Sequence, residues 1–271
     1  MEGITFFVFA FLISYFITPK TLHMLHTGGL TKSNYRGKLI TGSAGIIFPA
    51  VLALTYALAA IYTQVPQDAY IYLGFISLIS FAGFVDDVVG NRESRGFLGH
   101  FSFLFKKKEL TTGIWKAGLG GIVAVLAAVT SSIYWGDIII NTLLVALMTN
   151  IFNLLDVCPG RSIKVFFLAA LCVAVIIPSF TASILLYPVA GALLAYAIYD
   201  FQGKAMLGDA GSNLIGLSLG LAVMAGAGFV ARLSVVLGLL FLHLVAERYS
   251  FSQVINNNKV LFILDRLGRR D

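Results

Sequence analysis

The sequence predicts an all-α protein that forms a polytopic bundle of transmembrane helices. Of its 271 residues, 58% are hydrophobic and 12% are charged, whereas soluble domains carry about 25% charged residues. The apolar runs have the length that crosses a bilayer as a helix, about 17–22 residues. They lack the alternation of a transmembrane strand, and only helices and closed barrels satisfy their backbone in lipid. We therefore expect residues 1–271 to form a single integral-membrane domain, in which residues 247–271 are a short basic cytoplasmic tail.

About nine spans fit the hydropathy pattern, and an odd number places the two termini on opposite sides of the membrane. Basic residues concentrate in cytoplasmic loops. With the N-terminus outside and the C-terminus cytoplasmic, every Lys and Arg except Arg232 falls on the inner side. This distribution explains the net charge of +6 and argues against a nucleic-acid partner. The predicted spans are 3–18, 43–63, 69–85, 113–133, 138–155, 165–180, 182–199, 212–230 and 233–246.

Glycines recur at close-packing spacings in two of these spans. One group is Gly118, Gly120 and Gly121, and the other is Gly216 and Gly220. Small residues allow two helix backbones to approach closely within a membrane. We therefore expect both groups to lie at contacts between helices.

The third span ends in two adjacent carboxylates, Asp86 and Asp87, and a basic segment that contains glycine follows as far as His100. Acids at the mouth of an apolar segment are costly to hold near a membrane, and they typically bind a cation or move a proton. The alternative for this stretch alone is a solvated helix end.

The fifth span closes with Asn150, Asn153 and Asp156, spaced three residues apart. That spacing places them on one face of a helix near its inner end. Such a face is expensive in a membrane unless it lines a cavity, although hydrogen bonding between helices is an alternative. A Pro-Gly pair then breaks the helix, and we expect Arg161 to face the inner water, near a phosphate or lipid headgroups.

The third polar stretch is Gly-Asp-Ala-Gly-Ser at 208–212, just before the eighth span. Ser212 is predicted to cap that helix, and a helix N-terminus favours an anion. Asp209 would repel this anion unless a cation lay between them. A carboxylate, Mg²⁺ and a diphosphate form a consistent set, although an ordinary capped turn is the alternative. All three stretches lie on the same side of the membrane in a topology derived from Lys and Arg alone.

Together these motifs resemble the polyprenyl-phosphate N-acetylhexosamine-1-phosphate transferases, often called glycosyltransferase family 4. Members include the phospho-N-acetylmuramoyl-pentapeptide transferase of cell wall biogenesis. The Asp-Asp, Asn-x-x-Asn-x-x-Asp and Gly-Asp-x-Gly-Ser motifs occur here in the family's order and spacing, from about residue 81 to 220. The resemblance implies that a polyprenyl phosphate attacks the β-phosphate of a UDP-N-acetylhexosamine with Mg²⁺ and releases UMP. This reaction would take place at the cytoplasmic face of the bacterial plasma membrane.

The resemblance also implies roles for individual residues. Asp86 and Asp87 would handle the lipid phosphate and the metal, and Asp209 would bind Mg²⁺ directly. The expected partners are the polyprenyl phosphate lipid, the UDP-sugar and the membrane, with a homodimer as a further option. The full set of predicted site residues is Asp86, Asp87 and Asp156 as catalytic, Asn150, Asn153, Lys116, Arg161 and Ser212 as substrate-binding, and Asp209 and Asp156 as metal ligands.

The chain departs from the family pattern at two motifs, as a divergent subgroup would. Pro159 stands where many members carry a second acid, and His243 is the only late histidine where many have a His-rich loop. We expect Arg161 to offset part of the lost acid by binding the diphosphate, and the alternative is a membrane anchor. Two rival functions remain open: a catalytically weak paralogue that binds lipid phosphate or regulates an envelope pathway, and a transporter.

Overall fold

The computed structural model describes residues 2–34, 36–90 and 111–269, and these residues are almost entirely helical. The basic segment predicted to follow the aspartate pair lies outside them. The only strands in the described ranges are β1 (Thr31–Ser33) and β2 (Leu39–Thr41), and a 3₁₀ turn spans Ala44–Ile46. The helices are α1 (Glu2–Thr27), α2 (Ile47–Tyr62), α3 (Gln67–Val89), α4 (Thr112–Ser131), α5 (Trp135–Leu155), α6 (Arg161–Ile176), α7 (Phe180–Phe201), α8 (Gly208–Gly226), α9 (Phe229–Arg248), α10 (Phe251–Asn257) and α11 (Lys259–Arg266).

Seven helices in the described part of the chain are long and apolar enough to cross a membrane. They are α1, α2, α3, α4, α5, α7 and α9. The prediction of a bundle of membrane-length helices is thereby confirmed. The two other predicted spans, 165–180 and 212–230, correspond to α6, which has 16 residues, and α8, which has 19. The count of nine and the orientation of the termini stay predictions.

Helix α8 lies at the centre of the bundle. Every residue from Ala210 to Met224 is buried, and the helix packs against α3, α5, α6 and α7. Because protein rather than lipid surrounds it, α8 accommodates polar side chains such as Ser212 and Asn213. Its position explains why this helix is less uniformly apolar than the outer ones.

The remaining helices form pairs around this centre. Helix α1 packs along α7 and α2, α4 packs between α3 and α5, and α9 lies against α5. Helix α1 extends beyond the predicted 3–18 segment to Thr27 and continues through Pro19. The outer helices leave many large apolar side chains exposed, as lipid-facing surfaces do.

A small antiparallel hairpin corrects the all-α prediction. Strands β1 and β2 pair with Lys32 opposite Ile40. Past the hairpin, the backbone N–H of Met206 donates to the Thr41 carbonyl at 2.9 Å, and the N–H of Gly45 donates to the Leu207 carbonyl at 3.0 Å. The hairpin therefore anchors the segment that leads into α8. Strands of three residues carry too little alternation to be recognised in the sequence.

The predicted basic tail is folded rather than extended. Ser250 and Gln253 form a reciprocal capping box at the start of α10. The Asn258 side chain accepts hydrogen bonds from the backbone of Val260 and Leu261 at the start of α11. Two short helices with defined caps thus follow the last membrane-length helix.

Candidate active site

Three helix ends meet at the predicted inner side of the bundle. Asp86 and Asp87 lie in the last turn of α3, Lys116 lies near the start of α4, and Asp209 lies in the first turn of α8. Glycine at position 83 allows α3 and α8 to approach closely. A Cβ atom there would lie only 2.3 Å from the carbonyl oxygen of Asp209. The structure thus brings together two of the three motifs and the predicted lysine.

Two carboxylates share the ammonium group of Lys116. Its Nζ lies 2.7 Å from Asp86 Oδ2 and also contacts Asp209 Oδ2. All three side chains are mostly shielded from solvent, with exposed fractions of 18% for Lys116, 18% for Asp86 and 25% for Asp209. The two acids therefore converge on one position that a cation occupies.

Asp87 points toward the hairpin and the start of α8. Its Oδ1 accepts from Lys32 Nζ at 2.6 Å, and its Oδ2 lies 3.4 Å from the backbone N–H of Ala210. Gly208 has a φ of +66°, and a Cβ there would lie 2.4 Å from Asp87 Oδ2. Only glycine fits this position without strain. The Asp87 carboxylate thus lies at a helix N-terminus, where the helix dipole favours negative charge.

Lys32 is a site residue that sequence reasoning missed. It lies on β1, 55 residues before Asp87, and no local motif marks it. Its position follows from the pairing register of the hairpin, which the sequence does not reveal. In the structure Lys32 reaches Asp87 of α3, while the neighbouring Lys38 stays exposed.

Asp156 follows the last residue of α5 and accepts a hydrogen bond from Ser162 Oγ at 2.8 Å. Burial raises the pKa of Asp156 well above its ordinary value. The negative charge of Asp200 adds to this effect, as do those of Asp209 and Asp87, while the Ser162 hydrogen bond opposes it. Asp156 is therefore within electrostatic reach of the carboxylate cluster.

The turn after Asp156 is fixed by a second residue that the sequence did not reveal, Asp200 on α7. Gly160 adopts a left-handed φ of 73°, and its N–H donates to Asp200 Oδ1 at 2.5 Å. The hydroxyl of Tyr196 donates to the other oxygen at 3.3 Å. Asp156 and Asp200 both line a small cavity beside this turn.

The polar side chains of α5 contact different neighbouring helices. Asn150 is exposed, and its amide contacts His243 Nε2 on α9 at 3.0 Å. Asn153 faces α8, where its Oδ1 lies 3.5 Å from Ser212 Oγ. The contact of Asn150 with α9 therefore fits the alternative of hydrogen bonding between helices. Three residues at this spacing cover about 120° of the helix circumference, so their side chains can contact two different neighbouring helices.

Ser212 does not cap α8, contrary to prediction. The helix begins at Gly208, which places Ser212 inside it, and the side chain is fully buried. The glycine at 208 supplies the backbone conformation that starts the helix four residues earlier. The binding role predicted for Ser212 stays a prediction.

Arg161 is buried and does not face the inner water, which corrects the expected location. Its Nε donates to Asp265 Oδ1 at 2.8 Å and its Nη2 donates to Asp265 Oδ2 at 3.0 Å. Its Nη1 donates to Ser252 Oγ at 3.0 Å. The guanidinium therefore contacts the C-terminal tail. Its predicted contact with a diphosphate stays a prediction.

The sequence model of glycosyl transferase family 4 matches residues 69–227, which is more than half of the chain. The chain belongs to glycosyl transferase family 4. A search of curated proteins finds no significant match to it. The matched range runs from α3 to α8 and includes all three acidic motifs, whereas the hairpin with Lys32 and the tail with Asp265 lie outside it.

The donor set of this family 4 site suits a hard divalent cation. Carboxylate oxygens of Asp86 and Asp209 already flank a single ammonium group, and oxygen is the ligand that Mg²⁺ prefers. Among the described residues, no group of three or more His, Cys, Asp or Glu side chains is arranged to hold a metal. Mg²⁺ typically takes only one or two carboxylates and completes its coordination with water and substrate phosphates. The residues therefore fit a metal that is held jointly with a substrate.

Proposed function

We propose that this glycosyl transferase family 4 protein is a phosphoglycosyl transferase. It would move a sugar-1-phosphate from a UDP-N-acetylhexosamine to a polyprenyl phosphate and release UMP in cell-envelope polysaccharide synthesis. The proposal rests on one observation. Asp86, Asp209 and Lys116 converge where the ends of α3, α8 and α4 meet. This cluster combines carboxylates for a metal with an ammonium group for a phosphate.

The chemistry needs an oxygen of the lipid phosphate to attack the β-phosphorus of the nucleotide-sugar. A new P–O bond forms there, and the bond to the oxygen that bridges the two phosphates breaks, so that UMP leaves. Such transfers depend mainly on positioning and on stabilising the charge of the phosphoryl oxygens. Lys116 and Lys32 place ammonium groups beside the carboxylates, where they can neutralise the charge of phosphate oxygens.

A bound Mg²⁺ would supply further neutralisation of the diphosphate. Asp209 and Asp156 are the ligands that we propose for it, and Asp86 is close enough to Asp209 to share it. Asp87 differs because its carboxylate contacts Lys32 and the α8 N-terminus. We assign Asp87 to orienting Lys32 and the lipid phosphate, and Asn153 to contacting the nucleotide-sugar.

The location of the cluster fits a lipid substrate and a soluble one. We place it at the cytoplasmic face of the bacterial plasma membrane, because basic residues concentrate on that side. A lipid phosphate could enter from the membrane while the UDP-sugar enters from the water. We treat residues 1–271 as one integral-membrane unit, which functions as a monomer or a homodimer.

The test uses the purified full chain with a polyprenyl phosphate and a panel of UDP-sugars. We expect UMP release and a lipid diphospho-sugar that mass spectrometry identifies, and both should require Mg²⁺ and stop with EDTA. Asp209→Asn keeps the size of the side chain and removes its charge. It should lower turnover by about 100-fold or more, the scale on which a single electrostatic catalytic group acts. Near-normal turnover of Asp209→Asn at saturating Mg²⁺ would remove Asp209 from the metal ligands.

A second candidate is a catalytically weak paralogue that binds lipid phosphate. One observation favours it: Pro159 replaces a family acid, and the nearby Arg161 is engaged with Asp265. This function predicts binding of polyprenyl phosphate to the purified chain with no UMP release for any UDP-sugar. The same assay therefore separates the two candidates.

A further inference from the structure

We propose that the C-terminal tail is a strap that positions the active-site turn. The strap comprises residues 251–269, and the turn comprises residues 156–161, with Asp156 at its start. In this proposal Arg161, Asp265 and Arg269 are positioning residues that act on Asp156 through the backbone. The assignment of Asp156 to the active site rests on the proposed function, whereas the attachment of the strap to the turn does not.

The first contact is a bidentate ion pair between the turn and the strap. Arg161 donates from Nε and Nη2 to the two oxygens of Asp265, 104 residues later, at 2.8 and 3.0 Å. The side chains are only 4% and 8% exposed. Planar fork-to-carboxylate pairing fixes distance and angle together. Since both side chains are shielded from water, loss of Asp265 leaves the buried charge of Arg161 without its carboxylate partner.

The second contact reaches the backbone of the turn itself. Arg269 donates from Nε to the carbonyl oxygen of Pro159 at 2.7 Å and from Nη2 to Asp265 Oδ2 at 2.6 Å. Asp265 therefore pairs both with Arg161 of the turn and with Arg269 of the strap. Although burial opposes its ionisation, the hydrogen bond and charge of Arg161 and the charge of Arg269 keep the pKa of Asp265 below its ordinary value.

A third contact secures the C-terminal end of α11. Lys164, in the first turn of α6, donates from Nζ to the carbonyl oxygens of Leu264, Asp265 and Leu267 at 2.9, 2.5 and 3.1 Å. A cation at a helix C-terminus satisfies carbonyls that have no partner within the helix and complements the helix dipole. Lys164 thus links the start of α6 to the end of α11.

The turn can transmit these contacts because it is stiff. A Cβ at Gly160 would lie 2.2 Å from the ring of Phe201, so the backbone packs directly on α7. Ser162, adjacent to Arg161, donates to Asp156 Oδ1 at 2.8 Å. A displacement of Arg161 would move Ser162 and therefore the carboxylate of Asp156.

The strap lies outside the range that matches the family. The chain lacks the second acid and the His-rich loop that many relatives carry near this site. A strap joined to the Pro159 turn would supply rigidity to that turn by packing.

The experiment compares Asp265→Asn with Lys259→Gln in the full chain. Asp265→Asn keeps the shape of the side chain and removes its charge, whereas Lys259 is an exposed residue of the same helix. Hydrogen exchange measures protection in residues 157–163, and UMP release as a function of Mg²⁺ concentration measures the site. For Asp265→Asn we expect at least tenfold faster exchange in residues 157–163 and an Mg²⁺ requirement at least fivefold higher. Lys259→Gln should change neither.

Unchanged exchange in residues 157–163 of Asp265→Asn would overturn the strap. A second contrary result is that Asp265→Asn shows unchanged exchange together with a lower KM for the nucleotide-sugar. That result would also overturn the strap, because it would mean that Arg161, once released from Asp265, binds phosphate. If wild-type protein shows no turnover, the proposed function fails, but the exchange measurement still decides whether the strap holds the turn.

If Asp265→Asn does not fold, Arg269→Gln replaces it, since that variant keeps the Arg161–Asp265 pair. Faster exchange at the turn then supports the strap, and unchanged exchange rejects it.

Discussion

At the scale of single residues, the candidate site is a set of opposite charges that compensate one another. Lys116 lies between Asp86 and Asp209, and Lys32 neutralises Asp87. Asp87 is the most enclosed of these acids, with only 4% of its side chain exposed. Burial of a carboxylate is costly unless it is paired and hydrogen-bonded, and Lys32 provides such a partner. We therefore include Lys32 among the candidate site residues.

Lys32→Met should lower kcat/KM for the lipid substrate by about 10- to 100-fold, which corresponds to the roughly 1.5–3 kcal/mol of a charged hydrogen bond. The physical reason is that Asp87 loses its ammonium partner and the phosphate loses a cation. Lys20→Met is the matched control, because it removes an exposed basic side chain in the C-terminal half of α1. Equal kcat/KM values for the two variants would exclude Lys32 from the site.

At the scale of helices, close glycine contacts hold the centre of the bundle together. A Cβ at Gly216 would lie 2.6 Å from the carbonyl oxygen of Met148, and one at Gly220 would lie 3.2 Å from the Cα of Val145. The predicted contact of this glycine pair is confirmed between α8 and α5. In the other group, a Cβ at Gly120 would lie 3.3 Å from Ile79 of α3, whereas those at Gly118 and Gly121 meet no described residue within 4 Å. Spacing alone does not tell which face of a helix is turned inward.

Gly83→Ala should destabilise the protein and reduce activity together. The added methyl group would lie 2.3 Å from the carbonyl oxygen of Asp209, so α3 and the start of α8 must separate. Overpacking of this kind costs about 1–3 kcal/mol, and separation also pulls Asp86 away from Asp209. Thermal unfolding and UMP release measure the two effects. Gly74→Ala on the same helix is the control, because its Cβ would meet none of the residues that the structure describes within 4 Å. Full activity in both variants would contradict the proposed packing.

At the scale of the whole molecule, the sequence predicted what is encoded locally. Hydropathy placed the membrane-length helices, and three short motifs marked Asp86, Asp156 and Asp209. Contacts between distant segments were missed. Lys32 lies 55 residues from its partner, and Arg161 lies 104 residues from Asp265. A side chain such as Arg161 carries no local sign of whether it meets a phosphate, a headgroup or another part of the chain.

Topology is a further property of the whole chain, and the one basic residue that the prediction places outside forms an ion pair at the opposite end of the bundle. Arg232, the single basic residue that the prediction places outside, donates to Asp137 at 2.5 Å and to Asn141 at 2.7 Å. Asp137 is also predicted to lie outside. The exception to the charge rule is thus compensated within the structure.

Cysteine labelling tests this orientation directly. In a background with Cys158→Ser and Cys172→Ser, we expect a membrane-impermeant maleimide added outside intact cells to modify Gln67→Cys. Lys38→Cys should react only after the membrane is permeabilised. Both positions are exposed, so the difference in labelling reports sidedness rather than burial. The reverse pattern would place the carboxylate cluster outside, where UDP-sugars made in the cytoplasm do not reach it. That outcome would remove the proposed substrate while leaving the packing of α3, α4 and α8 unchanged, because the ion pairs of Lys116 do not depend on which side of the membrane they face.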